Sequence, residues 1–227
     1  MSDAPITRRA LLAGAAAAAA GGLLAEHADD AGAQQPAPPV VPPDPSAVPG
    51  GPTTAVSARS PFEHPARTPT GVITGPAFTP IHELNGTITP RYLMFERHHA
   101  GVAMIDPRRY KLLVHGLVDE PMAFTLADLK RFPSVSRIHF LECSGNGRNG
   151  YRDPKPELTP QMIDGLTGNG EWTGVPLATL LREAGVKRDA TWFLAEGGDA
   201  SRLSRSIPIE KAWDDAIVAY AFNGEPL

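Results

Sequence analysis

Apolar residues recur along the second half of the chain at two periods, and those periods predict short strands interleaved with short helices. Lys111-Leu112-Leu113-Val114-His115-Gly116-Leu117-Val118 reads as a strand, closed by the turn residues Asp119-Glu120-Pro121. Thr125 and Asp128 stand three apart in capping-box spacing ahead of a short helix that must stop before Pro133. Arg137 to Glu142 reads as a second strand with Ile138 and Phe140 on one face, followed by a glycine-rich loop. Leu177, Leu180, Leu181 and Ala184 then follow the i, i+3, i+4, i+7 rule of a helix begun by Pro176 and ended by Gly185. Thr191 to Ala195 and Ala216 to Phe222 complete the strands, the latter running into Asn223-Gly224, a tight hairpin signal. Only Glu225-Pro226-Leu227 follow that turn, so the native protein is expected to continue beyond them.

The first third has no such pattern. Thr7-Arg8-Arg9-Ala10-Leu11-Leu12 precedes an uncharged run from Ala13 to Ala25, and Ala31-Gly32-Ala33 offers a small-residue cleavage site. Residues 1–33 therefore read as a twin-arginine signal peptide, which predicts export to the periplasm. A membrane span is the competing reading, but spanning takes about 20 strongly apolar residues, and this run is shorter and mostly alanine and glycine. Residues 34–80 are crowded with proline and poor in large apolar residues, as an extended linker would be. Residues 81–227 remain as one body, long enough to bury about 68–70% of its unfolded surface. The formal charge of −4, with no long basic run, points away from nucleic acid and anionic membranes and toward a small molecule or another protein as partner.

Candidate chemistry concentrates in Glu142-Cys143-Ser144-Gly145-Asn146-Gly147-Arg148. Cys143 is the single cysteine, so no disulfide closes within the chain, and no Cys/His spacing marks a zinc site or a haem attachment. A thiolate is a soft metal ligand, and a glycine-rich loop lets backbone N–H groups converge on an anion. One cysteine could thus anchor a metal whose other ligands come from a cofactor. Other readings stay open on the residues alone. Cys143 could be a buried structural residue, a hydrolase or transferase nucleophile activated by His98 or His99, or part of a non-catalytic docking module.

Cys143-Ser144-Gly145-Asn146-Gly147-Arg148, with Arg97-His98-His99 upstream and Glu196-Gly197-Gly198-Asp199 downstream, resembles the molybdopterin-binding domain of the sulfite oxidase family across most of residues 91–227. Within it, the cysteine loop is most similar to that of the molybdenum subunits of sulfane dehydrogenases. The resemblance implies an α+β fold with a mixed β-sheet and a molybdenum-molybdopterin cofactor. It implies Cys143 as the protein's ligand to the metal, and Arg97 and Arg148 as arginines of an anion pocket whose forks suit sulfur oxyanions. His99 and Asp199 match cofactor-contacting positions, whereas His98 stands where many relatives carry asparagine. Without the resemblance, Arg97 would pass for a solvated arginine and Asp199 for an ordinary turn residue. Trp172, Trp192 and Trp213 read as packing residues.

The activity so implied is oxidation of sulfite or of carrier-bound sulfane sulfur by oxygen-atom transfer. Electrons would pass to a c-type cytochrome subunit or carrier. The family's later pterin ligands, and a dimerisation domain that would make the protein oligomeric, would lie beyond Leu227.

Overall fold

The computed structural model describes residues 49–154 and 156–227. The expected signal peptide, residues 1–33, and the first part of the expected linker, residues 34–48, lie outside the described residues. The chain divides into two units, Met1–Ser57 and Ala58–Leu227, and the sheets, helices and cavity belong to the second.

Its centre is an antiparallel four-stranded sheet. Val135–Glu142 (β6) pairs with Thr167–Pro176 (β7) over eight rungs, from Val135↔Gly174 to Glu142↔Thr167. Ile217–Phe222 (β10) lies on the other side of β7, and Glu225–Pro226 (β11) lies outside β10, giving the order β11-β10-β7-β6. The β10–β11 turn places Asn223 at φ 50° and Gly224 at φ 78°, the left-handed pair that a two-residue hairpin turn demands.

β7 is the longest strand among the described residues, and it lies within the stretch read as a glycine-rich loop. The glycines that lower its strand propensity are there for close approach. A methyl group on Gly168 would collide with Met94, on Gly170 with the Phe222 ring, and on Gly174 with the carbonyl of Val218.

The core forms on one helix. Leu177–Glu183 (α3, the third α-helix among the described residues) carries Leu180 into a cluster with Phe124, Leu129 and Val175, and carries Leu181 into a second cluster with Ile209 and Ala212. Leu180 and Val175 are wholly buried, a contribution of about 1.5–3 kcal/mol each. The helix closes as a Schellman motif: Gly185, at φ 65°, donates to Arg182 O at 3.1 Å, and Val186 donates to Leu181 O at 3.0 Å.

Leu126–Leu129 (α1) has the expected capping box. The Thr125 hydroxyl accepts from Asp128 N–H at 3.1 Å, and the Asp128 carboxylate accepts from Thr125 N–H at 3.0 Å. Lys111–Val114 (β4) pairs with Met122–Thr125 (β5), but the predicted strand stops four residues early because Val118 leaves the ladder to bridge Val186. Trp172 packs on Phe222 with ring centroids 4.5 Å apart, whereas Trp192, read as a packing residue, is largely exposed.

Thr68–Pro69 (β1), Pro76–Phe78 (β2) and Glu96–Arg97 (β3) form a small antiparallel sheet, so the compact unit reaches back well before residue 81. Proline is tolerated here because Pro69 lies on an edge strand and Pro76 begins its strand. Gln161 ties this sheet down by donating to Phe78 O at 2.9 Å and Ala66 O at 3.3 Å. Among the described residues no helix is long and apolar enough to cross a membrane.

Candidate active site

The β6–β7 ladder sets where the cysteine stands. Cys143 is the first residue past β6, and its N–H donates to Leu166 O, just before β7, at 2.9 Å. The chain then turns sharply, Asn146 N–H donating to Cys143 O at 2.8 Å. The Asn146 side chain staples the turn by accepting from Leu166 N–H at 2.9 Å and donating to Glu142 at 3.0 Å. Gly147, at φ 75°, leads into a 3-10 turn, Arg148–Tyr151, and donates to Ile163 O of Pro160–Asp164 (α2) at 2.9 Å. Thr159 caps α2 with a side-chain bond to Met162 N–H.

Within this loop the Cys143 Sγ, half-buried, accepts from Gly145 N–H at 3.5 Å. A methyl placed on Gly145 would sit 3.6 Å from Arg148 Cδ and 3.8 Å from the cysteine sulfur, so both side chains flank this glycine. At the end of β3, Arg97 Nη1 donates to Thr74 O at 2.6 Å and His98 O at 2.7 Å, which fixes the guanidinium.

Cys143, Arg97, His99 and Arg148 line one cavity of about 240 Å³, together with Arg205 of Ser204–Pro208 (β9) and with Asn149. Its apolar wall includes Phe78, Met162 and Leu166. No carboxylate lines it among the described residues. Three guanidinium groups gathered without a counter-charge make an anion site.

His98 and Asp199 are not on that cavity. The His98 Nε2 is buried without a hydrogen-bond partner among the described residues, Glu96 standing 3.8 Å away, beyond bonding reach. Asp199 turns into its own loop, where its carboxylate accepts from the Ser201 hydroxyl at 2.7 Å. That hydrogen bond holds its carboxyl below the usual range. Arg205 belongs to no motif, yet the sequence carried a signal for it. In Leu203-Ser204-Arg205-Ser206-Ile207 the arginine takes a slot that period-2 alternation reserves for apolar residues.

The donor set fits a metal delivered inside an anionic organic cofactor. Among the described residues no group of three His, Cys, Asp or Glu side chains could hold a bare ion, so a metal at Cys143 needs its other ligands from elsewhere. The arginines supply the charge that such a cofactor or an anionic substrate requires.

Comparison with known proteins agrees. A family model, the oxidoreductase molybdopterin binding domain, matches residues 99–227. The mitochondrial sulfite oxidase of Drosophila melanogaster is 35% identical over 61% of this chain and 26% of the relative; that of Homo sapiens is 31% identical over 62% and 28%. The NADH nitrate reductase of Solanum lycopersicum is 35% identical over 63% of this chain and 17% of its own length. The crystal structure of the sulfane dehydrogenase SoxCD from Paracoccus pantotrophus matches with a TM-score of 0.68 at 39% identity, covering 82% of this chain and 51% of that one. The chain spans about a quarter of the length of the sulfite oxidases it matches. With a thiol, three arginines and a histidine on one cavity inside the matched α+β fold, the chain belongs to the oxidoreductase molybdopterin-binding domain family, as a molybdenum-cofactor oxidoreductase domain of the sulfite oxidase type.

Proposed function

We propose that this chain is the catalytic part of an exported, molybdenum-dependent dehydrogenase of sulfur substrates, either sulfite or sulfane sulfur borne on a carrier protein. The observation that carries this reading is the convergence of Cys143, Arg97 and Arg148 on a cavity free of carboxylates among the described residues. When bound, the molybdenum cofactor supplies oxygen-atom transfer and accepts the two electrons released.

The residues do the rest. Cys143 provides the thiolate that holds the metal, at a position fixed by the strand ladder behind it. Arg97 and Arg148 receive and orient the oxyanion, their charge-assisted bonds drawing the sulfur toward the cysteine. His99, on the same cavity, would contact the cofactor, whereas His98 and Asp199, which do not line it, stand only as positions that the family resemblance implies. Oxidation of sulfite to sulfate takes its oxygen from water and releases two protons and two electrons. In this reading the electrons leave to a c-type cytochrome subunit or carrier, and the twin-arginine motif read at Arg8-Arg9 supports a periplasmic site for the reaction. Nucleophilic catalysis at Cys143 is disfavoured, since the hydrogen bond recorded at its sulfur comes from Gly145 N–H and not from a histidine.

The test is molybdenum content and sulfite-dependent cytochrome c reduction of the complete, metal-loaded protein, beside Cys143→Ser. The variant should lose turnover and keep its fold by circular dichroism, because a hydroxyl donates far less charge to a metal than a thiolate. Undiminished turnover of the variant at full metal occupancy would refute the assignment.

A further inference from the structure

We infer that Arg205 is a third, substrate-facing arginine of the anion site, and that it determines affinity for the sulfur oxyanion; this rests on the function proposed above. Four observations carry it.

The cavity brings together Arg97, Arg148 and Arg205, with no carboxylate lining it among the described residues, in a chain whose net charge is −4. Like charges converging in this way repel, and an anion between them relieves the repulsion. The three arginines are also differently placed. Arg97 is half-buried and held by two backbone carbonyls, and Arg148 lies on the cysteine loop, where it flanks Gly145 together with the thiol. Arg205 is exposed and reaches the cavity from a separate two-stranded sheet, Trp192–Glu196 (β8) with β9, where it pairs with Ala195.

Its guanidinium is, moreover, nearly unspent. Nη1 donates to Ser204 O at 2.7 Å, and among the described residues no carboxylate pairs with it. A guanidinium has five N–H donors, so a planar fork remains for an oxyanion. Finally, Arg205 shares strand parity with Leu203 and Ile207. A purely solvating arginine would fall more naturally on the alternate face, with Ser204 and Ser206.

The test uses the complete, metal-loaded protein with Arg205→Gln and Arg205→Lys. Sulfate serves as the unreactive oxyanion, its dissociation constant read by calorimetry and its competition against sulfite by kinetics. The glutamine variant should bind sulfate roughly tenfold more weakly, the equivalent of one hydrogen bond to a charged group, and raise KM for sulfite by a similar factor. Its kcat and molybdenum content should stay near the wild-type values. The lysine variant, which keeps the charge without the fork, should fall between. Unchanged sulfate binding and KM in the glutamine variant would overturn the inference. So would loss of molybdenum or pterin, which would assign Arg205 to the cofactor. A wild-type protein that neither binds sulfate nor oxidises sulfite would instead remove the proposed function, and this inference with it.

Discussion

The N–H of Cys143 donates to the carbonyl of Leu166 at 2.9 Å, one step beyond Glu142↔Thr167, the last rung of the β6–β7 ladder. The thiol therefore stands at the end of eight paired positions rather than on a free loop. Asn146 doubles the attachment by bonding both Leu166 and Glu142. Groups held this way lose little further freedom when they take up a ligand, which favours tight binding.

Arg148→Gln separates anion recognition from metal holding. Glutamine keeps hydrogen-bonding capacity but loses the charge, and charge-assisted bonds are roughly twice as strong as neutral ones. In the complete, metal-loaded protein KM for sulfite should rise and kcat should fall less than kcat/KM, the pattern of lost ground-state binding. Steady-state kinetics with molybdenum measured alongside checks this. An unaltered KM at normal occupancy would leave the anion site to the other arginines.

Leu180→Ala tests the core that supports the site. Leu180 is wholly buried among Phe124, Leu129 and Val175, so truncation should cost about 2–5 kcal/mol. Urea unfolding should show a lower midpoint with an unchanged slope.

Acid should weaken the capping box of α1. The side-chain hydrogen bond from Thr125, followed by its backbone bond, holds the Asp128 carboxyl below the ordinary value of 3.8. A carboxyl whose folded value is depressed stabilises the fold above its unfolded value, and that contribution is lost as pH falls through the folded one. Unfolding midpoints measured downward from pH ~5 should therefore fall less steeply in Asp128→Asn than in the wild type. Parallel profiles would show that the box adds no acid sensitivity.

The twin arginines lie outside the described residues but make a separate prediction. Changing Arg8 and Arg9 together to lysine should leave the folded protein in the cytoplasm. Fractionation that finds the active double variant in the periplasm would point to another export route.

What could be read from the sequence follows the reach of each signal. The Thr125–Asp128 box and the Asn223-Gly224 turn are local, and the structure has both. The α3 periodicity marked Leu177, Leu180, Leu181 and Ala184 as one apolar stripe, of which the last three are buried and Leu177 partly so. Strand β7 was hidden because Gly168, Gly170 and Gly174 answer to neighbours distant in sequence. β1 and β2 were hidden because prolines at an edge and at a strand start look the same as prolines in a linker. At the site, Arg97, His99, Cys143 and Arg148 line one cavity while His98 and Asp199 lie off it, and Arg205 required strand parity to be weighed against charge.

Those β7 glycines also decide what sequence change the domain can absorb. Gly174 faces a backbone carbonyl that cannot swing aside, Gly170 faces a ring that is itself buried, and Gly168 faces the bendable end of a methionine. Tolerance to alanine should therefore be graded, nil at the first, slight at the second and greatest at the third. A saturation library scored for folding alone would show an intolerant stripe at alternate positions of a strand that contributes no side chain to the cavity. Read without the structure, such a stripe would be mistaken for chemistry.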